Sequence, residues 1–302
     1  MHSEQASPDG ALDEVAAAFA TLRPHLFGIA YRVLGSVVEA EDVVQETWVR
    51  WQGTDRSVVL NPAGFLARTT TRLAINVAQS ARSRRETYVG PWLPEPVDTG
   101  HDPAVGAERA EALGFAVLLL LEKLSPAERA AYVLREAFDY PYAQIAEILQ
   151  LTQVNVRQIV SRARKRLAAE RRERVGAAEH RRLLEAFVAA AQRGDVAALE
   201  SMLTADAVSH ADGNGVKGAA RTPVTGAERV AVLVSALPRF WPGADAEPVE
   251  VNGAPGVLLT RDGTALVLVT ADASAEGIYR LLWVMNPAKL DAFAASRRRF
   301  EP

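Results

Sequence analysis

Apolar residues recur at spacings of three and four through the first half of the chain, then give way after Gly176 to short runs of strand character. Phe19, Leu22, Leu26, Ile29, Ala30 and Val33 form one stripe, and Gly35 marks its end. Ser36 is placed to cap the next helix, with Glu39 three residues on as a capping-box partner. That helix carries Glu39, Glu41, Asp42 and Glu46 beside Val43, Val44, Thr47, Trp48 and Trp51. Asn61-Pro62 opens a third helix, since proline is tolerated in a first turn. Residues 11 to about 83 therefore read as all helix. A further helix is expected over 104–124, and Ser125-Pro126 with Glu128 starts another.

The most informative stretch is FDYPYAQIAEILQLTQVNVRQIVSRARKRL, residues 138–167. Residues 142–149 predict a short helix with Ile145, Ala146, Ile148 and Leu149 on its apolar side. Residues 150–152 make a turn, and Gln153 begins a longer helix running to about Arg171. In it Val156, Ile159, Val160, Ala163 and Leu167 form one buried stripe. Arg157, Gln158, Ser161, Arg162 and Lys165 lie off that stripe. Such side chains hydrogen-bond base edges in a major groove and hold phosphates. Short helix, tight turn and polar outer face together read as a helix-turn-helix; the alternative is a solvated basic helix in a bundle.

Residues 88–103 hold four Pro and two Gly and read as a linker. Its Trp92-Leu93-Pro94-Glu95-Pro96 piece points to docking, because an exposed indole on a stiff tether is unfavourable. Beyond Gly176, helices are expected over 180–193 and 195–203. Strands are expected over 207–210, 246–251, 256–260, 265–270 and 278–285, with a helix at 226–237 and a last one from Asn286-Pro287 to about Ser296. This is an α+β domain.

The 302 residues allow two or three domains. A net charge of −3 by itself argues against a nucleic-acid binder, but the charge is uneven. Residues 61–85 hold five Arg and no acid, residues 153–174 eight Arg or Lys against two Glu, and residues 195–291 twelve acids against seven bases. There is no Cys, and the five His show no ligand spacing, so no metal site or cofactor is expected. The start lacks a basic flank and an apolar run, and no stretch is long enough to span a bilayer, so a cytoplasmic protein without membrane association is expected.

AEDVVQETWVRW (40–51), NPAGFLARTTTRLAIN (61–76), WLPEP (92–96), LSPAERAAYVLREAFDYPYAQIAEIL (124–149), VRQIVSRARKRL (156–167), HADGNGVK (210–217) and NPAKL (286–290) together resemble one family. It is the extracytoplasmic-function group of bacterial RNA polymerase sigma factors, in the subgroup with a C-terminal SnoaL-like extension. The resemblance implies two all-α domains, the region 2 helical bundle (11–87) and the region 4 helix-turn-helix (104–174). They are joined by the linker (88–103) and followed by an α+β SnoaL/ketosteroid-isomerase-like cone domain (178–302).

The resemblance also implies roles. Asp42, Gln45, Glu46 and Trp48 would dock on the β′ clamp helices of core RNA polymerase, with the β subunit a further partner. Arg68, Arg72, Asn76, Gln79 and Arg82 would contact the promoter −10 element, and Arg157, Gln158, Ser161, Arg162 and Lys165 the −35 element. Trp92, Leu93, Asp212, Gly213, Asn286, Pro287, Lys289 and Leu290 would form an intramolecular regulatory contact between the last domain and the sigma domains. Two departures stand out. The subgroup's Asp-Gly-Gly-Gly-Lys appears as Asp212-Gly213-Asn214-Gly215-Val216 with Lys217 one place late, and its Asn-Pro-Asp-Lys-Leu has Ala288 in place of the acid.

The reading that follows is a non-enzymatic promoter-specificity subunit. One rival is a helix-turn-helix regulator with a small-molecule-sensing C-terminal domain; the acidic helix and the 61–85 helix argue against it. Another is an enzyme on the last domain. His210 and Asp212 are the only adjacent polar pair there that stands out, and no nucleophile motif or phosphate loop is present.

Overall fold

The structure, a computed structural model, describes residues 8–100, 115–168, 172–173 and 175–298, with side chains apart from those of 8–15, 18, 82–86, 116 and 298. The predicted helix over 104–124 is thus seen only in its last part. Packing divides the chain into two compact units, one of Met1–Ser83 with Leu121–Ala168, the other of Arg84–Leu120 with Ala169–Pro302.

The first unit is helical. α1 (Pro8–Leu34), α2 (Val37–Gln52) and α3 (Pro62–Glu86) are followed by α4 (Phe115–Leu121), α5 (Pro126–Glu136), α6 (Tyr142–Leu149) and α7 (Gln153–Ala168). α4 belongs to the second unit except for its last residue. Gly35 ends α1 with φ 69, its N–H donating to Tyr31 O at 2.7 Å. Ser36 accepts the Glu39 N–H, and Asn61 accepts that of Gly64. At α5 the capping box is complete: Ser125 and Glu128 each bond the other's backbone N–H. The Ser125 backbone N–H is the main reason the Glu128 carboxyl is held below its usual pKa, aided by the positive field of Arg162 and Arg166.

One apolar cluster runs through this unit. Leu26, Ile29, Val44, Trp51 and Leu66 of α1–α3 share it with Leu134, Ile145, Ile148, Val156 and Val160 of α5–α7. Arg129 is also buried in this unit. Its guanidinium donates to Val33 O at 2.8 Å, Leu121 O at 3.0 Å and the Glu122 carboxylate at 2.6 Å. It thereby satisfies carbonyls at the ends of α1 and α4 that have no partner within their own helices.

In the second unit α8 (Ala177–Arg193) and α9 (Val196–Ser201) lead into β1 (Leu203–Asp212), β2 (Val224–Thr225), α10 (Ala227–Ser235), β3 (Asp245–Val251), β4 (Ala254–Arg261), β5 (Thr264–Ser274), β6 (Gly277–Val284) and α11 (Pro287–Arg298). The sheet order is β2-β1-β6-β5-β4-β3, antiparallel except for the parallel β1–β6 pair. Asn252-Gly253 and Asp262-Gly263 turn the β3–β4 and β4–β5 hairpins, all four residues at positive φ, as tight hairpin turns require.

Side chains alternate across the sheet. Val257, Leu259, Val267, Val269, Leu281 and Trp283 join an inner cluster with Leu184 and Phe187 of α8 and Val230 and Val234 of α10. Leu258, Leu268, Leu282 and Val284 join an outer cluster with Leu93, Phe115, Leu290 and Phe293. This outer cluster explains why packing cuts across the boundaries expected from the sequence. Leu93 of the linker and Phe115 of α4 are core residues of the sheet's outer layer, so the 84–120 segment groups with the last domain.

Arg129→Met should cost about 3 kcal/mol, near the low end for breaking a buried ion pair because Glu122 is partly solvated. Urea denaturation followed by helix ellipticity checks this.

Candidate functional site

Asp212 ends β1 and is fully buried. Ala207 and Ala211 of the same strand face the inner cluster. Alternation therefore turns Asp212 to the outer face, where the linker lies. Its carboxylate accepts the Leu93 N–H at 2.8 Å and the Tyr88 hydroxyl, and pairs with the Lys289 ammonium at 2.7 Å. The same ammonium donates to Leu93 O and sits 4.3 Å from the centre of the Trp92 ring. Asn286 caps the first turn of α11 by accepting the Ala288 N–H at 3.1 Å, and its amide donates to the Tyr88 oxygen at 2.7 Å. Pro287 and the cap aim α11 so that Lys289 turns inward and Leu290 enters the outer core. Burial, reinforced by the Asp212 carboxylate, pushes the Tyr88 hydroxyl pKa well up, so Tyr88 stays a donor to Asp212 at neutral pH.

The linker continues along the sheet edge. Val97 donates to Asn252 Oδ1 at 3.0 Å and its carbonyl accepts the Asn252 N–H at 2.9 Å. Thr99 bonds Glu250 through both backbone and side chain. Of the WLPEP residues Leu93, Pro94 and Pro96 are buried, while Trp92 is half-exposed and covers the ammonium. Gly213 permits the close turn after β1: a Cβ there would fall 2.4 Å from that of Ala219. Asn214 and Gly215 follow at positive φ, so the turn forms without the subgroup's third glycine. Lys217 is exposed, and the cation that meets Asp212 is Lys289. Ala288 is exposed, so the acid missing from this motif lies outside the buried cluster.

In the first unit, Arg157, Gln158, Ser161, Arg162 and Lys165 are all exposed along α7, and the five stripe residues are buried. The Arg157 guanidinium lies 5.5 Å from the centre of the Tyr142 ring. Gln150 ends α6 in the left-handed conformation, and Thr152 accepts the Asn155 N–H at the start of α7. On α3, Arg68, Asn76 and Gln79 are exposed, and the Arg82 side chain lies outside the described residues. Arg72 stands apart from them. Its guanidinium donates to Ile148 O at 2.9 Å and to Glu147 O at 3.2 Å, the free carbonyls at the C-terminal end of α6. On α2, Asp42, Gln45 and Glu46 are exposed, Glu46 bonding Arg50 at 2.8 Å, while Trp48 packs half-exposed against Phe19.

Family models for Sigma-70 region 2 and Sigma-70, region 4 match residues 18–85 and 114–167. The ECF RNA polymerase sigma factor SigJ of Mycobacterium tuberculosis is 36% identical over 299 residues, covering 94% of this chain and 96% of the relative. This chain belongs to the extracytoplasmic-function sigma factors of RNA polymerase. A probable sigma factor of the same group, SigI of M. tuberculosis, is 30% identical over 289 residues, covering 94% of this chain and 97% of that one. The crystal structure of M. tuberculosis SigJ matches the fold with a TM-score of 0.73 at 32% identity, over 91% of this chain and 98% of that one.

The sigma factor thus has helical sigma domains followed by an α+β cone domain of the SnoaL type. It directs promoter recognition and transcription initiation, with core RNA polymerase and promoter DNA as its partners. The conventional-regulator alternative is set aside. No described helix is long and apolar enough to cross a membrane. Tyr88, Asn252 and Tyr142 were not singled out from the sequence. Tyr88 and Asn252 act on residues more than a hundred positions away, which no local pattern announces. Tyr142 reads locally as a helix-turn-helix surface residue.

Lys289→Met leaves the Asp212 carboxylate buried without its countercharge and should cost about 3–5 kcal/mol. Replacing both, as Asp212→Leu with Lys289→Met, should recover much of that loss. Chemical denaturation of the three proteins, with limited proteolysis of residues 88–100, checks both the ordering and the release of the linker.

Proposed function

We propose that this sigma factor rests in a closed state, held by its own last domain, and that opening is required for promoter engagement. The carrying observation is the Arg72 bond to the end of α6. The −10 and −35 elements stand about 25 base pairs apart, roughly 85 Å at about 3.4 Å per pair. α7 is only about 24 Å long at 1.5 Å per residue. A helix α3 whose side chain touches α6 cannot reach one element while α7 reaches the other. Arg72 also cannot serve the α6 carbonyls and promoter DNA together.

In the open state, Arg68, Arg72, Asn76, Gln79 and Arg82 contact the −10 element, with the arginines on phosphate and the amides on exposed base edges. Arg157, Gln158, Ser161, Arg162 and Lys165 contact the −35 element, and Tyr142 steadies Arg157 from behind. Asp42, Gln45, Glu46 and Trp48 meet the β′ clamp helices of polymerase, and the β subunit meets the rest of the sigma surface. The linker, bound by Asp212, Lys289, Asn286 and Leu290, is the regulated element. While it lies on the cone domain, its length is unavailable for separating the two DNA-reading domains. The cone domain acts by contact, with Asp212 spent on the outer face. The protein works in the cytoplasm, where polymerase and promoter are.

Because the chain has no Cys, fluorophores can be placed at will through Gln52→Cys and Ala143→Cys, both exposed and in the first unit. Energy transfer between them should be high in the free protein and fall sharply on a promoter complex with core polymerase. Equal transfer in both would overturn the closed-state reading. Asp42→Lys with Glu46→Lys should abolish co-purification with core enzyme while leaving the ellipticity unchanged; retained binding counts against the α2 assignment.

A further inference from the structure

Among the large apolar side chains of α7, Val154 alone faces solvent: it is 63% exposed, while the five residues of the stripe are buried. At about 100° per residue, that stripe centres on the side of the helix opposite Val154. Val154 therefore stands on the outermost ridge of α7. Gln158, Ser161 and Lys165 follow it along the ridge, with Arg157 on one flank and Arg162 on the other, all exposed. Val154 takes no part in the apolar cluster of the first unit. A β-branched side chain also slightly disfavours the helix that carries it, so neither packing nor helix stability accounts for the residue.

We propose that Val154 is a specificity-determining residue of the −35 reader and packs on the methyl group of a thymine. The inference rests on the reading of α7 as the helix that meets the −35 element. In a major groove the thymine methyl is the one apolar group that a base edge presents. The N-terminal residues of a recognition helix come closest to the base edges. Val154 lies in the first turn of α7, which Thr152 fixes by accepting the Asn155 N–H at 3.2 Å.

Arg157 sets the place of that thymine. Its guanidinium lies 5.5 Å from the centre of the Tyr142 ring, which also carries Arg135 at 5.0 Å. Arg135 is tied in turn to Asp139 at 3.0 Å and to Tyr140 O at 3.1 Å. Arg157 thus rests on a fixed support when it meets a base. Val154 precedes it by about 4.5 Å of helix rise, against about 3.4 Å per base pair. The thymine therefore falls within two base pairs of the base that Arg157 contacts. A single methyl buried against Val154 is worth roughly fourfold in affinity.

The test uses the full chain bound to core polymerase and a promoter selected by that holoenzyme from duplexes with a randomised −35 element. Each −35 thymine is replaced singly by deoxyuridine, which lacks only the methyl, and binding is measured for the wild type and Val154→Ala. Alanine at an exposed helical position keeps the fold, because it is the better helix former. One thymine should be found whose replacement weakens the wild type about fourfold and leaves Val154→Ala unchanged. A selected element without thymine, or a deoxyuridine penalty equal in the two proteins at every position, overturns the contact. Arg157→Ala reports on the underlying reading. If it changes −35 preference while no thymine depends on Val154, the contact alone falls. If neither variant alters −35 preference, α7 is not the reader and the contact falls with it.

Discussion

A single carboxylate, buried to its last oxygen at the end of β1, organises the second half of this protein. An ionised group at that depth is tolerable only when its countercharge and hydrogen-bond donors are in place. Asp212 takes them from three distant parts of the chain: the Tyr88 hydroxyl, the Leu93 amide and the Lys289 ammonium. The linker and the C-terminal helix are thus bound by the same charge. Leu93, Leu290 and Phe293 add apolar burial to both contacts, and the cost of leaving Asp212 alone ties the two together.

The first unit follows a different rule. Its helices share one apolar cluster, and two arginines join them through backbone carbonyls left over at helix ends. Arg129 serves the ends of α1 and α4, and Arg72 the end of α6. Such carbonyls accept from any guanidinium within reach, so the partly exposed Arg72 can exchange them for phosphate or base contacts at modest net cost, whereas the buried Arg129 cannot. The Asp212 cluster offers no comparable exchange, because water is a poor substitute inside the outer core.

Most elements were legible in the sequence. The buried stripe of α7, the capping box at Ser125 and Glu128, and the five long strands follow from period and cap chemistry acting within a few residues. The two-residue β2 has no pattern to announce it. Expectations for the exposed faces of α7 and α2 depended only on the local helix and agree with where those residues lie. Arg72 could not be read so simply. At helical spacing it matches Asn76 and Gln79, yet it alone is drawn to α6, a contact across 75 positions. The motif lysine shows the same limit. Lys217 stood nearest Asp212 in sequence, and the fold delivered Lys289 in its place.

The latch also has a place in time. The helices matched as sigma regions 2 and 4 are complete by Ala168, whereas Lys289 is made 121 residues later. At a synthesis rate of about 5–20 residues per second, that gap is roughly 6–24 s. For that interval a growing chain holds its sigma-region helices and its linker without the residue that ties the linker down. The Asp212–Lys289 pair that holds the linker is therefore made late, and a chain cut short before α11 never acquires it.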